Sequence, residues 1–284
     1  MIAVVGSVNI DFVFEVERHP TPGETVTASA LHTTYGGKGA NQAVAAARLG
    51  GVVTLIAAVG DDAQSTEMRD DLASEGIDVT RVHIAGGTSS GLAAITVDAH
   101  GENSIVVYPG ANHVLTLSDG GRSAIAMASV VLVQLEVEMA VAIEAVQVAT
   151  GTVILNAAPA TPLPKALLGH VDILIVNEHE RTVALQGAET GALTVITTLG
   201  AEGVSVEARG TSDHVPSIEV EVVDTTGAGD TFCGAFAEAV ARGEAVLNAA
   251  KWAAVAASLA TTQIGARTAM PIRRDVERAL REIT

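Results

Sequence analysis

The run Val223-Asp224-Thr225-Thr226-Gly227-Ala228-Gly229-Asp230-Thr231-Phe232 leads into a strongly apolar stretch and puts a carboxylate where a helix would begin. Gly227 and Gly229 free the backbone around Ala228, so successive amides can converge at the positive end of that helix and form an anion pocket. Asp230 stands beside it. A carboxylate among amides aimed at an anion can accept the proton of a hydroxyl nucleophile. The amides meanwhile stabilise charge on a transferring phosphoryl group. Asp230 could equally be a plain N-cap.

Four other runs could cooperate with it. Asn9 and Asp11 are two apart, so in extended chain their side chains share a face and could grip vicinal hydroxyls, unless Asp11 merely caps a turn. Tyr35-Gly36-Gly37-Lys38-Gly39-Ala40-Asn41-Gln42 opens a helix. Its glycines signal unusual dihedrals, a hinge or close approach of a ligand, or else a plain turn. His32 and Gly39 stand where a P-loop needs Gly and Ser or Thr, so that motif is excluded. Asn177-Glu178-His179-Glu180 ends an apolar strand; Asn177 and Glu180 could hold phosphate and hydrated Mg²⁺ there, or form an N-cap with acids in the first helical turn. His179 has no H-x-x-x-H partner and reads as solvated surface. Thr198-Leu199-Gly200-Ala201-Glu202-Gly203 could line a nucleotide or make a tight hairpin.

The elements that must carry these residues alternate. Apolar runs at Met1–Val8, Val52–Val59, Val130–Leu135, Thr152–Leu155, Asp172–Val176, Leu193–Thr198 and Gly203–Ala208 read as strands. Helical stretches at Gly39–Leu49, Thr66–Ser74, Val137–Val148, Thr231–Ala241 and Ala245–Thr262 lie between or after them. This pattern predicts an α/β fold, a doubly wound and mostly parallel sheet with helices on both faces. Phe12–Ala30 and Gly91–Tyr108 break the alternation with period-2 patterning and turn residues, which predicts antiparallel hairpins inserted as a small β-sheet lid. The expected division is a core of 1–8, 36–88 and 113–284 and a lid of 9–35 and 89–112.

The 284-residue chain carries a net charge of −17, and only Lys38, Lys165 and Lys251 are lysines. Such a surface has no basic footprint for nucleic acid or anionic membranes. Any phosphate ligand must therefore be held locally, by helix N-termini, a few cations and metal ions. The start of the chain lacks a basic n-region, no uninterrupted apolar segment reaches membrane-spanning length, and Cys233 has no disulfide partner. A cytoplasmic protein is expected. The missing G-x-G-x-x-G after the first strand excludes a nicotinamide dehydrogenase.

GSVNID, PTPGETV, GGKGANQAVAAARLG, VGDD, GAN at 110–112, QLE at 134–136, NEHE, TLGAEG and DTTGAGDTFCGAF occur in an order and spacing that resembles the ribokinase-like (phosphofructokinase-B) carbohydrate kinases, from about Ala3 to Pro271. The resemblance implies ATP-dependent phosphorylation of the 5-hydroxyl of D-ribose. Asp230 would be the general base, with Gly227, Ala228 and Gly229 as the anion hole. Asn9, Asp11, Gly37, Lys38, Asn41 and Glu136 would bind the sugar. Asn177, Thr198, Gly200, Glu202, Gly203 and Gly229 would contact the nucleotide, and Glu180 would hold Mg²⁺ through water. A monovalent cation, K⁺, would lie near Asp224, Thr226, Ala260, Gln263, Gly265 and Ala269. The lid would clasp a second copy in a homodimer. Departures from the family pattern are Ala254 in place of a histidine near the adenine, Ala269 in place of a hydroxyl residue, and a short stretch between Glu180 and Thr197 that leaves little room for a peripheral helix. Rival readings are a same-family kinase for another sugar or a nucleoside, and a non-catalytic sugar- or nucleotide-binding protein on this scaffold.

Overall fold

Residues 1–186 and 192–283 are described by a computed structural model. The elements in chain order are β1 (Ile2–Val5), β2 (Asn9–Glu15), β3 (Ala30–Gly36), α1 (Lys38–Arg48), β4 (Val53–Gly60), α2 (Gln64–Ser74), β5 (Asp78–Ala85), β6 (Gly91–Val97) and β7 (Asn103–Tyr108). They continue with α3 (Asp119–Met127), β8 (Val130–Gln134), α4 (Met139–Val148), β9 (Thr152–Asn156), α5 (Lys165–Leu168), β10 (Ile173–Asn177) and α6 (Glu178–Leu185). The last are β11 (Thr194–Thr198), β12 (Val204–Ala208), β13 (Thr211–Val215), α7 (Ala228–Ala241), α8 (Val246–Ala260) and α9 (Arg273–Glu282).

The large sheet runs β13-β12-β11-β10-β9-β8-β1-β4-β5. From β11 to β5 every pairing is parallel, while β12 and β13 close one edge antiparallel. Strands buried on both faces must be apolar throughout, as in Ile2–Val5 and the first four residues of Val130–Gln134. One apolar layer joins α1, α2, α7, α8 and α9 to one face, and a second joins α3 to α6 to the other. The crossover after β1 therefore lies on the opposite face from the one after β8. Between these two strands the sheet changes winding direction, which opens a crevice at their C-terminal ends.

The second sheet, β3-β2-β6-β7, stands apart. Its outer pairs are antiparallel and its central pair, β2 with β6, is parallel. The second expected hairpin forms as read, but the first is displaced. Its strands are Asn9–Glu15 and Ala30–Gly36, with a connection containing Pro20 and Pro22 between them. Asn9 and Asp11 thus belong to the root of the small sheet, in extended chain as expected. The turn from β3 into α1 needs Gly37, whose φ of 89° suits glycine and whose missing Cβ would lie 2.9 Å from the Asn9 nitrogen.

The sequence reading leaves out β5, β13, α3, α5 and α9. β5 alternates exposed and covered residues as an edge strand does, and α9 buries only Val276 and Ala279 beneath a charged surface. The short stretch before β11 includes residues 187–191, outside the described residues, so the expectation of a missing peripheral helix falls partly there. No helix among the described residues is long and apolar enough to cross a membrane.

Candidate active site

Two helices cross at glycine. A Cβ on Gly234 of α7 would lie 2.4 Å from the Gln42 carbonyl oxygen, so only glycine lets α7 and α1 approach this closely. The crossing places the first turn of α7 against the first turn of α1. Asn41 donates from Nδ2 to Asp230 Oδ2 and Gln42 donates from Nε2 to Oδ1, both at 3.0 Å. All three side chains are buried. The Asp230 carboxylate is therefore gripped by two amides at a fixed angle, as a positioned base requires.

The grip extends inward. Gln42 Nε2 also donates to Asn156 Oδ1, and Gln134 Nε2 donates to Gln42 Oε1 at 2.7 Å. Asn156 Nδ2 then donates to the Ile175 carbonyl. Gln134 Oε1 is buried with no partner, and an added Cβ on Gly6 would sit 1.7 Å from it. Sequence reasoning assigned no role to Gln42, Gln134 or Asn156. A usable signal was present: β8 and β10 are apolar until their last residue, β9 is apolar between Thr152 and its last, and each ends in an amide, Gln134, Asn156 and Asn177. An amide ending a buried strand at the crevice edge has a polar partner to serve.

The predicted sugar ligands converge on the same place. Asn112 ties the small sheet to β1, accepting from the Val8 nitrogen at 2.9 Å and donating to Asn9 Oδ1 at 2.7 Å. The Asp11 carboxylate lies over Gly36, where a Cβ would come within 2.0 Å, and its Oδ1 is buried without a partner. Burial pushes Asp11 up to about 6; Arg267 pulls it down, and Glu136 and Asp230 push it further up. Such an acceptor is poised for a hydroxyl donor. Glu136 Oε2 accepts from Ser7 Oγ and from the Lys38 nitrogen, so it pins the start of α1 to the exit of β1. Burial alone would lower the Lys38 ammonium, but Asp230, Glu136 and Glu180 outweigh it and hold the group above its ordinary range. Lys38 thus feels both Asp230 and Glu180, and the two halves of the site meet at it.

The turn before α7 is built as its glycines suggest. Gly227 has φ 77°, and a Cβ there would meet the Ala266 Cα at 2.8 Å. Its carbonyl accepts from the Thr231 nitrogen and hydroxyl. The Ala228 amide donates to the Thr225 carbonyl at 3.2 Å, and the Gly229 and Asp230 amides have no backbone partner among the described residues, as helix-start donors do. Asp224 braces the loop in front. Its Oδ1 accepts from the Thr226 nitrogen and hydroxyl, and its Oδ2 from the Gly265 nitrogen at 2.8 Å. These hydrogen bonds hold its carboxylate below the usual range against the opposing effect of burial. Ala260, at the end of α8, and Ala269 are buried behind that loop.

The predicted nucleotide residues lie along the ends of β10 and β11. Asn177 and Glu180 form a reciprocal capping box at α6: Asn177 Oδ1 accepts from the Glu180 nitrogen at 2.7 Å, and Glu180 Oε2 accepts from the Asn177 nitrogen at 2.8 Å. The simpler of the two readings of this motif is therefore realised. Gly200–Glu202 form a short 3-10 turn joining β11 to antiparallel β12, so the hairpin is also realised. No group of three or more His, Cys, Asp or Glu side chains among the described residues could hold a metal ion.

The profile of the pfkB family carbohydrate kinases matches residues 1–273. The chain belongs to this family. It is 39% identical to a ribokinase of Bacillus subtilis, covering 98% of this chain and 99% of that protein. It is 35% identical to a deoxyribokinase of Salmonella typhi over 95% of each. The structure of Arabidopsis thaliana ribokinase complexed with ribose and ATP superposes with a TM-score of 0.92 at 32% identity, over 98% of both chains. As a pfkB carbohydrate kinase, the chain is a phosphotransferase with an alcohol acceptor, and the α/β sheet with its small separate sheet is the architecture of these relatives.

Proposed function

We propose that this enzyme transfers the γ-phosphoryl group of ATP to the 5-hydroxyl of D-ribose, with Asp230 taking the hydroxyl proton. One observation carries the reading above the others: a buried carboxylate held by Asn41 and Gln42 in the first turn of a helix whose leading amides are free to receive an anion. A protein that only binds sugar has no use for a base beside an anion pocket. Asn9, Asp11, Gly37, Lys38, Asn41 and Glu136 shape the sugar pocket. In it the Asp11 oxygen accepts from sugar hydroxyls, and Glu136 holds the α1 start in place.

The turn of Gly227, Ala228 and Gly229 shapes the anion hole, with the Gly229 and Asp230 amides turned to the anion while the Ala228 amide is held by the Thr225 carbonyl. In-line phosphoryl transfer asks mainly for positioning and charge stabilisation. Asn177, Thr198, Gly200, Glu202 and Gly203 receive the nucleotide. Mg²⁺ bound with ATP would neutralise phosphate charge, and Glu180 would hold it through water. A site with few carboxylates suits a cation that keeps most of its waters. K⁺ would be held near Asp224 by backbone carbonyls of Thr226, Ala260, Gln263, Gly265 and Ala269, an all-oxygen donor set suited to a hard cation.

The small sheet, residues 9–35 and 89–112, serves as the lid. Ile105, Val106, Val107 and Tyr108 on its edge strand are each more than half exposed, which supports pairing with a second copy. The acidic surface and lone buried Cys233 support a cytoplasmic location.

The test is steady-state ADP release with a panel of D-ribose, 2-deoxyribose, other sugars and nucleosides, with and without K⁺. The expected result is the highest kcat/KM on D-ribose. A higher value on deoxyribose or a nucleoside moves the enzyme to the same-family alternative, and no turnover on any of them leaves a binding protein.

A further inference from the structure

We propose that Arg267 is a positioning residue for the phosphoryl-transfer reaction, one that acts on Asp230 through Asn41. Arg267 lies in the loop between α8 and α9, far in sequence from the residues its guanidinium contacts. Its Nε donates to Asn41 Oδ1 at 2.9 Å, its Nη1 to Asp71 Oδ2 at 2.8 Å and its Nη2 to the Gly36 carbonyl at 3.0 Å. Its own carbonyl accepts from Arg48 Nη1. One planar guanidinium thus ties α1, α2 and the end of β3 to the loop that Asp224 braces through Gly265.

The consequence for the base follows from the chemistry of an amide. Asn41 has one acceptor oxygen and one donor nitrogen, and either can be turned toward Asp230. With Arg267 donating to the oxygen, the nitrogen must face the Asp230 carboxylate, where it donates at 3.0 Å. Without that donor the Asp230 carboxylate alone orients the amide, the Asn41 oxygen loses its buried partner, and the nitrogen is held less firmly against Oδ2. Burial pulls the guanidinium below its ordinary range, and the carboxylates of Asp71, Asp11 and Glu75 oppose that pull only in part. The same charge acts on Asp11, where Arg267 opposes the upward push of burial, Glu136 and Asp230.

This inference rests on the kinase reading of Asp230, so the unaltered enzyme is assayed on D-ribose first. An inactive parent brings down the proposed function, whereas an active parent whose Arg267 variants are unchanged brings down only this inference. R267K, R267Q, N41A and R267K/N41A are compared, with circular dichroism confirming the fold.

A lysine keeps the charge but cannot make three forked bonds, so kcat should fall about 10- to 100-fold in R267K, with KM for ATP within twofold. If Arg267 acts through Asn41, R267K/N41A should lose no more than N41A alone, within about twofold. In R267Q the acid limb of kcat/KM for ribose should move to higher pH, since Asp11 loses its cationic neighbour. The proposal is overturned if R267K keeps kcat within twofold of the parent, if the double loss equals the product of the single losses, or if the acid limb of R267Q stays in place. Failure of both Arg267 variants to fold would also overturn it, as a purely structural role.

Discussion

Around Asp230 the polar side chains are buried and bonded to partners far away in sequence, 189 residues apart for Asn41 and Asp230. Around Asn177 and Thr198 they are bonded to near neighbours or to the adjacent strand, with Asn177 and Glu180 only three apart. The proposed sugar half is thus fixed by tertiary packing: Gly234 sets the helix crossing, Gln42 links Asp230 to the sheet, and Glu136 anchors α1. The proposed nucleotide half is a set of local caps and turns. A small neutral polyol offers few strong contacts, so its orientation must come from a rigid, dry frame. A nucleotide brings its own charge, and loosely held donors can adapt to it.

The sharpest way to break this comparison is at the carboxylate. Asp230→Asn keeps the shape and the neighbours but cannot accept a proton, so kcat should fall ~10²–10⁴-fold while ribose binding by calorimetry persists. Next comes the frame. Gln42→Leu leaves the Asn156 and Gln134 amides without their partner and frees one Asp230 oxygen. A loss of about 1–3 kcal/mol in denaturant stability is expected, with kcat reduced roughly 10- to 100-fold.

The third effect is on pH. In the proposed sugar pocket Asp11 would bind hydroxyls as a carboxylate, and its value is raised to about 6, so kcat/KM for ribose should decline about tenfold per unit as pH falls below that point. Asp11→Asn should abolish this limb. It should also raise thermal stability at pH 8, because a carboxyl whose folded value lies above its unfolded one costs stability once ionised. The smallest effect belongs to the nucleotide half: Asn177→Ala removes one cap, about 1 kcal/mol of helix stability, and raises KM for ATP more than it lowers kcat. An Asn177→Ala loss in kcat as large as that of Gln42→Leu would erase the distinction between the halves.

The parts of this molecule legible in its sequence are those governed by near neighbours. The apolar runs that became β1, β4 and β8 to β11 must be largely apolar because both faces are covered, whereas β12 alternates buried Val204 and Val206 with half-buried Ser205 and Glu207. The glycines at 37 and 227 mark turns whose positive φ is local. The inserted sheet was readable from period-2 patterning, but its first hairpin was misplaced because Pro20 and Pro22 belong to the connection rather than to its boundary. Edge elements such as β5 and α9 were missed because half their surface is polar. Arg267 could not be found at all. Nothing in residues 260–270 says that a guanidinium there will reach Asn41, 226 positions away; only the closing of the sheet brings them together.

The central claim is that Asp230 faces the terminal hydroxyl of a bound pentose. Phosphorus NMR of the product formed from ATP and D-ribose tests it most directly. The account predicts a phosphate ester on the primary C5 oxygen, coupled to two methylene protons and formed ~10²–10⁴-fold more slowly with D230N. A phosphate on the anomeric oxygen, or release of inorganic phosphate alone, would contradict it.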